Sequence, residues 1–142
     1  MSANAGVAPI EFDNLNPIYS SIFQPFSSQR LFTGLGSNIT DVNFFVPGTS
    51  TLATVSGFAS VFTDVDLAAN TSLEFFDANG ASLGLFYALT ANNGLSFLGV
   101  FFDAGERVGR VRITSGIQLW VQTTRQGLMS SRWTISFTVN PR

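Results

Sequence analysis

The chain has 142 residues, 45% of them apolar, 13% aromatic and only 11% charged, with a formal net charge of −2 at pH 7. This composition fits one globular domain over residues 1–142, burying about two-thirds of the unfolded surface, and excludes disorder. With no His, Cys or Lys, imidazole bases, thiol nucleophiles, disulfides, zinc sites, Schiff bases and the P-loop are excluded, leaving carboxylate chemistry or a hard cation such as calcium.

In chain order, the opening residues MSANAGVAPIEF lack the charged and apolar regions of an export signal. No apolar run approaches the roughly 18 residues of a membrane span, so none is expected. Short runs rich in Val, Ile, Phe and Thr, punctuated by Gly, Pro, Asn and Ser, predict strands at 10–13, 38–46, 54–64, 72–77, 82–88, 95–101 and 107–114. The intervening NLNPIYSSIFQPFSSQRLFTGLGS, residues 14–37, carries two prolines and many serines and predicts a long connection wrapped over the other strands. In VSGFASVFTDVD, Phe58 and Phe62 share a face with Ser56 and Ser60 while Ala59, Val61 and Thr63 oppose them, the pattern of a central strand covered on both sides. SLEFFDANGASLG predicts a hairpin whose Asn79 and Gly80 suit a tight turn with positive φ. RVRIT places Val111 and Ile113 on one face and Arg110, Arg112 and Thr114 on the other, so one side is buried and one is wet. The whole reads as an all-β sandwich or barrel.

Candidate sites are few. Asp64 and Asp66 in FTDVDL project to one face of a continuing strand, where a calcium ion would relieve their repulsion. The competing reading makes them turn formers where the strand runs into a solvated loop. Asp77 and Asn79 resemble part of a calcium loop, but no Glu follows at the required distance, and the hairpin turn explains them. Glu74 and Glu106 are the only pair worth weighing as glycosidase carboxylates, and nothing in their spacing sets them across a cleft. The aromatic residues Tyr19, Phe23, Phe26, Phe32 and Tyr87 could stack on sugar rings, although core packing suits most of the phenylalanines better. Tyr19 and Tyr87 suit surface platforms on which a ligand such as a sugar ring could stack. The SNIT run from Asn38 to Thr40 matches a glycosylation acceptor only incidentally.

Several ordered runs carry a resemblance: NPIYSSIFQPFSSQRLFTGLGSNITDVNFFVPGTS, GFASVFTDVDL, SLEFFDANGASLG and NNGLSFLGVFFDAGERVGRVRITSG. From Asn16 to about Gly116 the chain resembles an uncharacterised family of bacterial exported β-sandwich proteins. The resemblance implies a jelly-roll-like antiparallel β-sandwich in an extracellular or cell-surface setting, and it implies no chemistry. Where GFASVF has Ala59, the family usually has Gly, a change a strand tolerates.

After RITSG the resemblance stops and the charge reverses. All nine acidic residues lie at or before Glu106 and six of the seven arginines after it, so the formal charge is −8 up to Glu106 and +6 beyond. Joining the third base of each codon to the first two of the next permits, from about Ile117 onward, the N-T-A-L-G-P-N-D and V-D-V-V-A-M-D-D-F-I-Y-G-E-P runs with which the family ends. Trp120 with Val121 then gives Gly and Trp133 with Thr134 gives Asp, both forced by the genetic code. The tail of residues 117–142 therefore resembles a frame-shifted closing segment, which the gene's codons test directly. Three scattered arginines in it make no nucleic-acid patch, so no nucleic-acid partner is expected. RWTISFTVN still alternates well enough to pair as a substitute strand.

These readings converge on a non-catalytic extracellular binding or surface module for a glycan or cell-surface component, with no cofactor unless calcium binds. A homo-oligomer joined through β edges is the alternative from another class, and a carboxylate-based glycoside hydrolase a remote third.

Overall fold

The computed structural model describes residues 10–11, 26, 30–32, 37–116 and 134–136. They form ten strands: β1 (Ile10–Glu11), β2 (Arg30–Leu31), β3 (Ile39–Phe45), β4 (Leu52–Ala53), β5 (Gly57–Val65), β6 (Ser72–Phe76), β7 (Ser82–Tyr87), β8 (Ala91–Phe101), β9 (Arg110–Thr114) and β10 (Thr134–Ser136). β1 and β2 make a small ribbon, β10, β5 and β8 a three-stranded sheet, and β4, β3, β9, β6 and β7 a five-stranded sheet, each in that order. Every strand pairing is antiparallel. No helix occurs among the described residues, so none there is long and apolar enough to cross a membrane.

Alternation decides which faces meet. Val111 and Ile113 of β9, Leu73 and Phe75 of β6 and Phe62 of β5 are buried together with Val65, Ala88 and Val108. Val42 and Phe44 of β3, Phe58 of β5 and Leu98 and Val100 of β8 pack against them half-buried, so the core lies between the two larger sheets. Each fully buried aliphatic or aromatic side chain contributes about 1.5–3 kcal/mol through water released from apolar surface. Phe75 sits at the centre, its ring edge-on to Phe86 at 5.7 Å and to Phe102 at 5.4 Å between centroids. The all-β antiparallel sandwich expected from the sequence is the fold observed. β5 is the central strand expected of it, flanked by β10 and β8.

Two differences have local causes. β8 begins at Ala91, four residues before the predicted start, although Asn-Asn-Gly reads as a turn. Pairing survives there because β8 bulges, setting Asn92, Asn93 and Gly94 opposite the single residue Asp64; Asn93 takes φ 51° and Asp64 φ 59°, so Val65 can meet Ala91. The β6–β7 hairpin turns over Asp77 to Gly80 as expected, but the side-chain bonds that shape it come from Asp77. Gly80 alone among Asp77, Ala78, Asn79 and Gly80 has positive φ, at 87°, and its N–H donates to the Asp77 carbonyl at 3.2 Å. The Asp77 carboxylate accepts the N–H groups of Asn79 and Ala81, both at 2.8 Å. Asp77 therefore organises the turn that Asn79 was expected to set. The short strands β2 and β4 were not predicted, being two residues each.

Candidate functional site

The five-stranded sheet turns a polar face away from the core. Its register aligns three rows across β3, β9, β6 and β7: Ile39, Thr114, Ser72 and Tyr87; Asp41, Arg112, Glu74 and Leu85; Asn43, Arg110, Phe76 and Ser82. In the middle row the Arg112 guanidinium donates through Nε to Asp41 Oδ1 at 2.8 Å and through Nη2 to Asp41 Oδ2 at 2.9 Å, a two-point fork. Arg110 Nη1 adds a third bond to Asp41 Oδ2 at 3.1 Å. These donors, Arg112 foremost, hold the Asp41 carboxyl below its ordinary range even though partial burial opposes them. The Arg110 guanidinium carbon also lies over the Phe76 ring, 3.9 Å from its centroid. A phenylalanine on the wet face is thereby covered and only 9% exposed. On β6, Glu74 accepts the Ser82 hydroxyl at 3.2 Å.

Tyr87 ends the first row on β7, the edge strand, and is 49% exposed. It lies two strands and two residues from Arg112, on the order of 12 Å at ordinary strand spacing and rise. A flat, exposed phenol therefore stands beside a bank of oriented donors and acceptors on one rigid sheet. Tyr19, its expected counterpart, lies outside the described residues.

Asp64 and Asp66 come together, but not as same-face neighbours on a continuing strand. Asp64, opposite the β8 bulge, is 7% exposed, and its Oδ1 accepts the Asn93 N–H at 3.0 Å. Asp66 lies exposed just past the strand end. Burial, then the charge and hydrogen bond of Asp64, push the Asp66 carboxyl above its ordinary value. Among the described residues no group of three or more acidic side chains gathers as a metal cage. Glu74 and Glu106 stand apart. Glu74 pairs opposite Arg112, whereas Glu106 lies in the loop before Val108, at least four residues along at about 3.3 Å each. Comparison with protein-family models, curated proteins and solved structures finds no match.

Sequence reasoning assigned Arg110 and Arg112 to the wet face and gave Asp41 no role. Asp41 and Arg112 are 71 positions apart. Alternation could place each on the outer face of its own strand, and only the β3–β9 register shows that they meet.

Proposed function

We propose that the chain is a non-catalytic binding module that takes a glycan on the outer face of the five-stranded sheet. The observation that carries this reading is the Asp41–Arg112 fork set on an exposed face that ends in Tyr87. A sugar presents an apolar ring face suited to stacking on a phenol, and hydroxyls suited to fixed carboxylate and guanidinium groups. The groups are oriented before any ligand arrives, so little ordering entropy is lost on binding. Resemblance to exported bacterial proteins supports an extracellular or cell-surface setting and a jelly-roll connectivity.

The test is calorimetric titration of the chain with a panel of oligosaccharides, repeated with Tyr87→Ala and Arg112→Ala. Saturable binding to a member of the panel is expected, weakened roughly tenfold by loss of the stacking ring. The Arg112 variant should weaken it as well. Binding to none of the panel, or binding that both variants leave unchanged, rejects the reading.

A further inference from the structure

The three-stranded sheet ends in β8, eleven residues reading ANNGLSFLGVF, without a charge or a proline. Among the described residues no strand pairs with its outer side. The Phe102 N–H donates to the Ser56 carbonyl at 2.8 Å, continuing the register in which Gly57 meets Phe101. In an antiparallel ladder this fixes the direction of every other peptide group. Beyond the bulge, Ser96, Leu98 and Val100 turn theirs toward β5, and Leu95, Phe97, Gly99 and Phe101 turn theirs to the open side.

The side chains of Leu95, Phe97 and Phe101 stand on the outer face of the sheet. Phe97 is 68% exposed and Phe101 73%. The Phe97 ring leans over Gly99, where an added Cβ would lie 2.8 Å from Phe97 Cζ and 3.0 Å from Ala59 Cβ. Natural edge strands avoid pairing with copies of themselves through charges, prolines, shortness or cover. β8 has neither charge nor proline, is the longest strand described, and leaves its aromatic rings exposed.

We propose that a second copy of this chain pairs here, β8 against β8, antiparallel about a two-fold axis through Leu98. That register sets Phe97 opposite Gly99 of the second copy and Leu95 opposite Phe101 of the second copy. All four pairs so formed join residues whose peptide groups already point outward, so the ladder closes without turning any strand. A bulky side chain meets a glycine on each side of the axis, and the two Phe97 rings become diagonal neighbours over the paired glycines. Centring the axis one residue earlier would set Phe97 against Phe97 directly. An uncharged strand meets its own copy without repulsion, and the closed two-fold contact limits growth to a dimer.

Sedimentation equilibrium of the intact chain over a concentration series tests this. Expected is a shift from the mass of one chain to that of two, abolished by Phe97→Lys, which places two like charges beside the axis on a position already exposed. Leu98→Cys reads the register independently, because the native chain has no cysteine. Opposed residues of a non-hydrogen-bonded pair lie about 4.5 Å apart between Cα atoms, within disulfide reach. Leu98→Cys should therefore cross-link on mild oxidation, and Ser96→Cys should not. A chain that stays monomeric at every soluble concentration overturns the proposal. So does a dimer indifferent to Phe97→Lys, a species that grows past two chains, or cross-linking at position 96 in place of 98.

Discussion

Ala69 holds φ at 62° in the loop between β5 and β6. A left-handed backbone crowds an alanine Cβ against its own carbonyl, whereas glycine adopts it freely. Ala69→Gly should therefore raise stability by about 0.5–1 kcal/mol despite the looser unfolded chain, read from a urea midpoint that rises at unchanged slope. The neighbouring acids carry a pH signature. Burial and Asp64 raise the Asp66 carboxyl above its ordinary 3.8, so the folded state holds that proton more tightly than the unfolded chain. The resulting stabilisation is complete below 3.8 and is lost as pH rises through the folded value. Asp66→Asn should melt with the wild type in acid and above it at pH 7. Equal midpoints at both pH values would show that the two carboxylates do not oppose each other.

At the scale of elements, the β3–β9 pair and the β6–β7 hairpin make opposite demands. The fork from Arg112 depresses the Asp41 carboxyl, so its contribution is present above 3.8 and is lost as pH falls through the depressed value. Asp41→Asn should lower the thermal midpoint at pH 7, with the difference closing in strong acid. Gly109 serves the hairpin by being small. A Cβ there would lie 2.9 Å from Ala78 Cα and 3.0 Å from the Asp77 carbonyl oxygen, both backbone atoms that cannot rotate aside. Gly109→Ala should cost about 1–3 kcal/mol by overpacking, measured by chemical denaturation. β9 was legible because apolar and polar residues alternate along it, and β5 because it is apolar on both sides, and both patterns are local properties. The partner of each strand was not, because register is fixed by side chains far away in sequence. The turn from Asp77 to Gly80 was legible because glycine alone takes positive φ freely, but the two N–H groups gathered by the Asp77 carboxylate were not, since they depend on the closed geometry of the turn.

For the whole molecule, the two sheets share one core and differ in their outer faces. The five-stranded sheet presents an ordered charged face, with Asp41 held by both arginines and Phe76 roofed over. The three-stranded sheet leaves its edge aromatic residues bare. Asp64 already serves the Asn93 N–H, so millimolar calcium should leave the thermal midpoint where chelator leaves it. An upward shift would instead make Asp64 and Asp66 ligands of the folded state.

The position of β9 reaches further than packing. It lies between β3 and β6, pairing Thr114 with both Ile39 and Ser72, so the middle of the larger sheet is supplied by a late piece of the chain. While the polypeptide is being synthesised, β3 and β6 emerge with a vacancy between them that no earlier segment fills. Closing it brings together residues some 70 positions apart, as the Arg112 bond to Asp41 records, and such non-local closure is slow. Through that interval β5 and the uncharged β8 are already made, with their inner faces uncovered. Yield of native protein should then depend on how crowded the newly made chains are, and the residues that govern it are those of β9 as much as those of the sticky edge.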